Sequence, residues 1–198
     1  MTRRGSYAKG IAKREAILTV ALELVARQGF HRTSIRDISE AVGLTQAGLL
    51  HYFDSKDELW VEVLRRRDAI DDATHLDADD PAQLLAAIVR HNAEVPGLVQ
   101  MFVNLSAAAA TDPEHPAHDY FRERYDKVRR IMTADFRRMQ EDGRLRTDVD
   151  PEQLTSVLLA VSDGMQIQWL FDPSREMAAH VELVARLAIA EVAAASAS

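Results

Sequence analysis

Residues 33–56, T-S-I-R-D-I-S-E-A-V-G-L-T-Q-A-G-L-L-H-Y-F-D-S-K, restrict what this chain can fold into more than any other stretch. They spell two short helices joined at a glycine. Ser34 is a good N-cap, and Asp37 three residues on can complete a capping box. Ile38 and Val42 make one apolar edge, with small Ser39 where a second helix must come close. Gly43 supplies the turn, because a residue just past a helix often takes the left-handed conformation that glycine adopts cheaply. Leu44 plugs that turn, Thr45 caps the next helix, and Leu49 returns an apolar contact to the first. These offsets match a DNA-reading helix-turn-helix spanning about 34–53. An ordinary helical hairpin inside a bundle would look similar, so the flanks decide.

Charge is the first flank to weigh. The net charge of −7 argues against a nucleic-acid partner until the chain is divided. Residues 1–67 hold 12 Lys and Arg against 8 Asp and Glu, a net of +4. Residues 68–198 hold 12 against 23, a net of −11. Positive charge therefore accompanies the helix-turn-helix, as expected of a DNA-binding head on an acidic body. The absence of cysteine removes disulfides and thiolate chemistry. No apolar run approaches the roughly 20 residues that span a bilayer. Arg3 and Arg4 are not followed by the apolar segment of a secretory signal. The expectation is a soluble cytoplasmic protein with no cofactor and no metal.

Taken in order, residues 1–10 carry Arg3, Arg4 and Lys9 and read as a flexible basic arm or a frayed terminus. Ile17, Val20, Ala21, Leu24 and Val25 recur at helical spacing, and Gly29 followed by Phe30 suggests a Schellman-type stop. Ser55 and Glu58 form a second capping box, followed by apolar Leu59, Trp60, Val63 and Leu64. The start of this fourth helix with Lys56 makes a phosphate seat. Arg65, Arg66 and Arg67 read as solvated or acid-paired. Composition flips near residue 70, which divides the chain into a DNA-binding domain, 1–70, and an effector-binding and dimerisation domain, 71–198. The aspartate-rich 68–80 reads as a helix end and a loop. Helical segments follow at about 81–95, 98–110, 117–140 and 151–171, then a last helix to about 193. Asp80-Pro81 and Asp150-Pro151 mark two of their starts. No stretch alternates like a strand. The fold class is all-α, about nine helices: a three-helix head, a connecting fourth helix and a C-terminal bundle.

With this layout the N-terminal third resembles the tetracycline-repressor (TetR) family of bacterial transcriptional regulators. The matching pieces are R-E-A-I-L-T-V-A-L-E-L-V-A-R-Q-G-F at 14–30, T-S-I-R-D-I at 33–38, A-V-G-L at 41–44 and H-Y-F-D-S-K-D-E-L at 51–59. Each is weak alone; their order and spacing are specific. The resemblance implies a repressor that binds double-stranded operator DNA as a homodimer, with a small-molecule effector in the helical body. It also implies that Thr45, Gln46 and Ala47 face base edges, where Gln can pair with adenine and an Ala methyl can meet a thymine methyl. Tyr52 and Lys56 would clamp phosphates, Arg36 would reach phosphate or a base edge, and Ser34, Gly48 and His51 complete the candidate surface. Two departures stand out. Gly48 and Leu50 occupy positions where the family often has Thr and Tyr. Glycine mid-helix costs about 1 kcal/mol relative to alanine and carries nothing to read a base. Readout would then rest on few side chains and partly on DNA shape.

On the body, Trp60, His91, Met101, Phe102, Leu105, Tyr120, Tyr125, Gln166 and Trp169 are the candidate effector residues. Aromatic and Met side chains with isolated polar groups suit a largely apolar ligand. Leu154, Val157, Leu158, Val161 and Met165, with Met177, Val181, Val184 and Ala188, are the candidate dimer surface. The alternative is that these two helices cover the core of one subunit. Of the rival classes, an enzyme lacks the G-x-S-x-G, P-loop, H-E-x-x-H and G-x-G-x-x-G signatures. His115 and His118 near Asp112, Glu114 and Asp119 could hold a metal, but the flanking prolines make incidental surface histidines the simpler reading. A protein-binding helical adaptor would leave Arg36, Tyr52 and Lys56 in the basic head unexplained.

Overall fold

The computed structural model describes residues 3–74, 80–95 and 97–189. Among them are nine α-helices and no strand: α1 (Arg3–Gln28), α2 (Ile35–Ala41), α3 (Gln46–Leu50), α4 (Lys56–Thr74), α5 (Pro81–Glu94), α6 (Leu98–Thr111), α7 (Ala117–Glu141), α8 (Pro151–Phe171) and α9 (Met177–Ala188). A short 3-10 turn, Phe30–Arg32, separates α1 from α2. No helix among the described residues is long and apolar enough to cross a membrane.

The chain forms two compact units. One comprises Met1–Leu76 with His91–Arg122; the other comprises Asp77–Arg90 with Glu123–Ser198. In the first, the apolar stripe of α1 (Ile17, Leu18, Ala21, Leu24 and Val25) is buried with Ile38, Leu49, Phe53, Leu59, Val63 and Leu64. Burying each such aliphatic side chain contributes about 1.5–3 kcal/mol. Charged residues of α1 fasten the neighbouring helices from outside. Arg14 Nη1 lies 3.0 Å from Glu62 Oε2, and its guanidinium stacks over Phe53 at 4.9 Å. Lys13 Nζ donates to Val42 O at 2.7 Å, placing a cation on the C-terminal carbonyls of α2.

The second unit buries Met132, Phe136, Met139, Leu154, Leu158, Leu159, Ala178 and Val181 in one cluster. The α7–α8 connection turns at Gly143 (φ 73°), and Gln140 Nε2 donates to Arg146 O and Val149 O at 2.8 and 2.9 Å. Asp150 caps α8 by accepting from Glu152 N at 2.8 Å, with Pro151 at the first helical position. Inside this unit Tyr125 Oη donates to Asp163 Oδ2 at 2.6 Å. Burial pushes the Asp163 carboxyl above the usual carboxylate range despite that hydrogen bond, and burial followed by the neighbouring carboxylate raises the Tyr125 phenol.

Several local expectations need correction. The proposed flexible arm is helical from Arg3, because α1 extends through it; Met1 and Thr2 lie outside the described residues. Gly29 does not make a Schellman cap: its φ 90°, ψ 156° lie outside the left-handed helical well, in a positive-φ region open to glycine, and Phe30 packs edge-on against Trp60 at 5.2 Å. The last helix ends at Ala188, where Arg146 N donates to Ala188 O at 3.2 Å and Ile189 pairs with Leu145. Residues 190–198, including the rest of the expected helix and the Ala/Ser tail, lie outside the described residues. At 68–80, where a helix end and then a loop are expected, α4 runs to Thr74, in keeping with the helix end, and residues 75–79 lie outside the described residues.

Candidate nucleic-acid interface and effector region

Helices of seven and five residues are too short to persist alone, so their ends must be held. Ser34 Oγ accepts from Asp37 N at 3.2 Å, while Ser34 N donates to Asp37 Oδ2 at 2.8 Å, closing the capping box. The Ser34 hydroxyl, which donates to Asp37 Oδ2 at 2.6 Å, and then the Ser34 amide hold the Asp37 carboxyl below the usual carboxylate range. Gly43 (φ 69°) turns the chain, and Leu44 N donates back to Ser39 O at 2.8 Å. Thr45 Oγ1 accepts from Gly48 N at 3.0 Å and so caps α3. Gly48 now has a local reason. A methyl group there would stand 3.1 Å from the same Thr45 oxygen, tighter than ordinary contact.

Leu49 is fully buried under the turn and sets the rotation of α3. That leaves Thr45, Gln46, Ala47, Leu50 and His51 exposed, with Gly48 half-buried. Ser34, Arg36 and Lys56 are also exposed, and Tyr52 is half-buried beside the His51 ring. Arg36 Nε donates to Glu40 Oε1 at 2.7 Å, and this pairing raises the guanidinium pKa, keeping Arg36 charged. Lys56 opens α4, where Ser55 Oγ accepts from Glu58 N at 3.0 Å. The Glu58 carboxylate reaches Asp54 N rather than Ser55 N, so the second capping box is offset by one residue. An exposed helix with two or three polar or small side chains, flanked by cations and a helix N-terminus, can meet a groove and its phosphates.

The candidate effector residues divide between the units. Trp60, His91, Met101, Phe102, Leu105 and Tyr120 belong to the first; Tyr125, Gln166 and Trp169 belong to the second. His91 is exposed, its Nδ1 4.0 Å from Glu94, whereas Trp60, Met101, Phe102, Leu105 and Tyr120 are buried. Gln166 is buried with its amide on Ser162 O at 3.4 Å, and Trp169 is half-buried. The first unit adds residues that sequence reading did not select. Phe121 lies edge-on to both Phe102 (5.3 Å) and Tyr120 (5.0 Å). Tyr120 Oη donates to Asp68 Oδ2 at 2.6 Å, and Arg67 pairs with Asp68 Oδ1 at 2.6 Å while lying over the Phe102 ring at 5.8 Å. Arg67 is acid-paired, as one of the expected alternatives had it, but it is 4% exposed rather than solvated. Its spacing was the available signal, since Trp60, Leu64 and Arg67 fall on one helical stripe. An open groove of about 450 Å³ in the second unit, between α5 and α9, is lined by Gln83, Arg90, Glu182 and Arg186, and by none of the candidate effector residues.

The candidate dimer residues are placed unequally. Leu154, Leu158, Met165, Met177, Val181 and Ala188 are buried within the protomer, so they have little surface to offer a second copy. Val161 and Val184 are half-buried and Val157 is exposed. The apolar surface of α8 lies about 100° round the helix, on Val157, Val161, Gly164 and Phe171, and that of α9 on Leu183, Val184 and Leu187. Phe171 is 85% exposed and Leu187 67%. The histidine pair also changes meaning. His115 is mostly buried, not an incidental surface residue, and no metal-holding cluster occurs among the described residues.

Comparison with known proteins fits this geometry. The family described as "Bacterial regulatory proteins, tetR family" matches residues 17–63, and "BetI-type transcriptional repressor, C-terminal" matches residues 77–194. The HTH-type transcriptional regulator RutR of Escherichia coli is 44% identical over 55 residues, 28% of this chain, and the match spans about a quarter (26%) of that relative. The HTH-type transcriptional repressor AcnR of Corynebacterium efficiens is 28% identical over 163 residues, covering 79% of this chain and 81% of that one. A transcriptional regulator from Saccharomonospora viridis, solved in complex with choline, superposes with a TM-score of 0.69 at 26% identity, covering 90% of this chain and 97% of the other. This chain belongs to the tetR family of bacterial regulatory proteins, with a C-terminal part of the BetI-type repressor kind.

Proposed function

We propose that this protein is a ligand-responsive transcriptional repressor of the bacterial cytoplasm, binding operator DNA as a homodimer and released by a small-molecule effector. The observation that carries this reading is α3: doubly anchored by Thr45 and Leu49, it presents Gln46, Ala47 and His51 outward between Arg36 and Lys56. Gln46 and Ala47 read bases, and Tyr52, Lys56 and the start of α4 hold phosphates. The exposed apolar faces of α8 and α9, centred on Val157, Phe171 and Leu187, form the dimer contact and set the spacing of the two half-sites. Effector binding shifts the balance between DNA-competent and DNA-incompetent conformers.

The choline bound to the relative from S. viridis suggests which effectors to try first. In this chain Phe102, Tyr120 and Phe121 cluster beside Asp68, and two guanidinium groups, Arg67 and Arg65, already lie over the first two rings. Rings that hold guanidinium groups in this way suit a quaternary ammonium as well as an apolar ligand. Fluorescence anisotropy with DNA from around the protein's own gene tests the main reading. Specific binding should weaken steeply with salt, and Lys56→Ala should lower the salt slope by about one charge. Failure to retain any such DNA at low salt overturns it.

A further inference from the structure

Leu50 takes a place in α3 where the family often has tyrosine, and it has no hydroxyl or charge to offer a phosphate or a base edge. Of the large apolar residues between positions 34 and 53 it alone is exposed, at 40%; the others are buried or half-buried. Its neighbour Leu49 fills the core beneath the turn. Successive helical residues point about 100° apart, so Leu50 cannot fill the same space.

A single exposed leucine is ordinary on a protein surface. The neighbours of this one give it a context. Gln46 and Ala47 precede Leu50 by four and three positions, which sets the three side chains side by side on one face of α3. Gln46 and Ala47 are exposed as well. Thr45 spends its hydroxyl on Gly48 N at 3.0 Å, and the His51 ring lies edge-on to Tyr52. The face beside Gln46 is therefore a patch of methyl groups, from Ala47 and Leu50, bordered by one amide. From Gln46 to Leu50 the helix rises about 6 Å, close to two base-pair steps of about 3.4 Å.

In the major groove the C5-methyl of thymine is the one apolar mark among the base edges, and apolar side chains read it by contact. A hydroxyl or amide at position 50 would lose its water against such a methyl without gaining a partner. A leucine loses nothing of that kind and buries more surface than the alanine beside it.

We propose that Leu50 is a specificity-determining residue of this reading face: its isobutyl group packs on the C5-methyl of a thymine in each operator half-site, beside the base that Gln46 contacts. The proposal rests on the DNA-binding reading above and adds a preference set by a methyl group instead of a hydrogen bond. A leucine that only packed the head would matter to folding and be indifferent to methyl groups on the DNA.

The test uses the full-length protein and the DNA that it enriches from a random pool. Each thymine of the enriched site is replaced in turn by uracil, which removes the C5-methyl and keeps the O4 acceptor and the base pairing. In the wild type, uracil at one or two thymines per half-site should lower affinity about fourfold, the effect of burying about one methylene. In Leu50→Ala the cost at one of those thymines should vanish, while the slope of affinity against salt stays the same. Thymines read by Ala47 would weaken both proteins equally, so the deciding observation is a thymine whose methyl matters only when Leu50 is present. Finding no such thymine overturns the proposal. The urea midpoint of Leu50→Ala should stay near that of the wild type; if it drops, Leu50→Gln, which keeps the chain length and helix propensity, is scored by the same criterion. A wild-type protein that enriches no DNA brings down the regulatory reading and this proposal together. Enriched DNA without a Leu50-dependent thymine brings down this proposal alone.

Discussion

The reading segment and the α7–α8 pair obtain order in opposite ways. Helices α2 and α3 have seven and five residues and bury three side chains between them, Ile38, Ser39 and Leu49. Their order comes from ends: Ser34 with Asp37, Gly43, Thr45, and the cation of Lys13 on the Val42 carbonyl. Helices α7 and α8, of 25 and 21 residues, gain order along their length from a shared apolar cluster, and their caps are accessory. A segment held by its ends tolerates little change at a few named positions. A segment held by its length spreads the same stabilisation over many. Helices as short as α2 and α3 can also be moved as a body by whatever grips their flanks, which suits a reading head.

Four substitutions bear on this contrast, from the largest effect down. Leu49→Ala should cost about 2–5 kcal/mol in urea unfolding, since Leu49 has no exposed surface and is the only residue α3 buries. DNA binding should disappear with it. Leu158→Ala in α8 should fall in the same range while leaving exchange protection over residues 34–53 intact; parallel loss of head protection in both would erase the distinction between the regions. Thr45→Ala should cost about 1 kcal/mol, with urea midpoints as the readout. The corresponding change at the longer helix, Asp150→Ala, should alter DNA affinity far less, because α8 is anchored along its length.

The smallest effect concerns charge within the second unit. Burial raises the folded-state pKa of Asp163, so its carboxyl stabilises the fold most when protonated, below the unfolded value, and that contribution is lost as pH rises through the folded value. Asp163→Asn keeps an acceptor for the Tyr125 hydroxyl without the charge. Its melting temperature should exceed the wild type's slightly at about pH 7, and the two should converge at about pH 3. A variant less stable than wild type at neutral pH would show that the ionised Tyr125–Asp163 pair is a net gain to this unit.

Much of the head was legible in advance because its structure is local. A cap and its recipient lie three residues apart, and the Gly43 turn is closed by Leu44 donating to Ser39, so Ser34, Asp37, Gly43, Thr45 and Leu49 announce themselves in order. Helical periodicity likewise located α4 to α9 to within a few residues, apart from the end of α9. What periodicity could not choose was a face. In α8 the buried stripe and the exposed stripe are both largely apolar, so Leu158 and Val157 looked equivalent until packing against α7 and α9 buried one and left the other exposed.

The amino-acid sequence by itself determined the all-α class, the helix-turn-helix with its caps, the segregation of positive charge to the first 67 residues, and the family resemblance. Each follows from residue identity or from neighbours a turn apart. Only the tertiary structure decided that Arg67 is buried on Asp68 and Phe102, that Gly97 abuts Gly29 and Phe30, and that His115 reaches Asp57. Those pairings join residues 35 to 68 positions apart, except that of Arg67 with Asp68, and nothing within one helical turn specifies them. They arise when helices with several comparable faces settle into the one arrangement that fills the core.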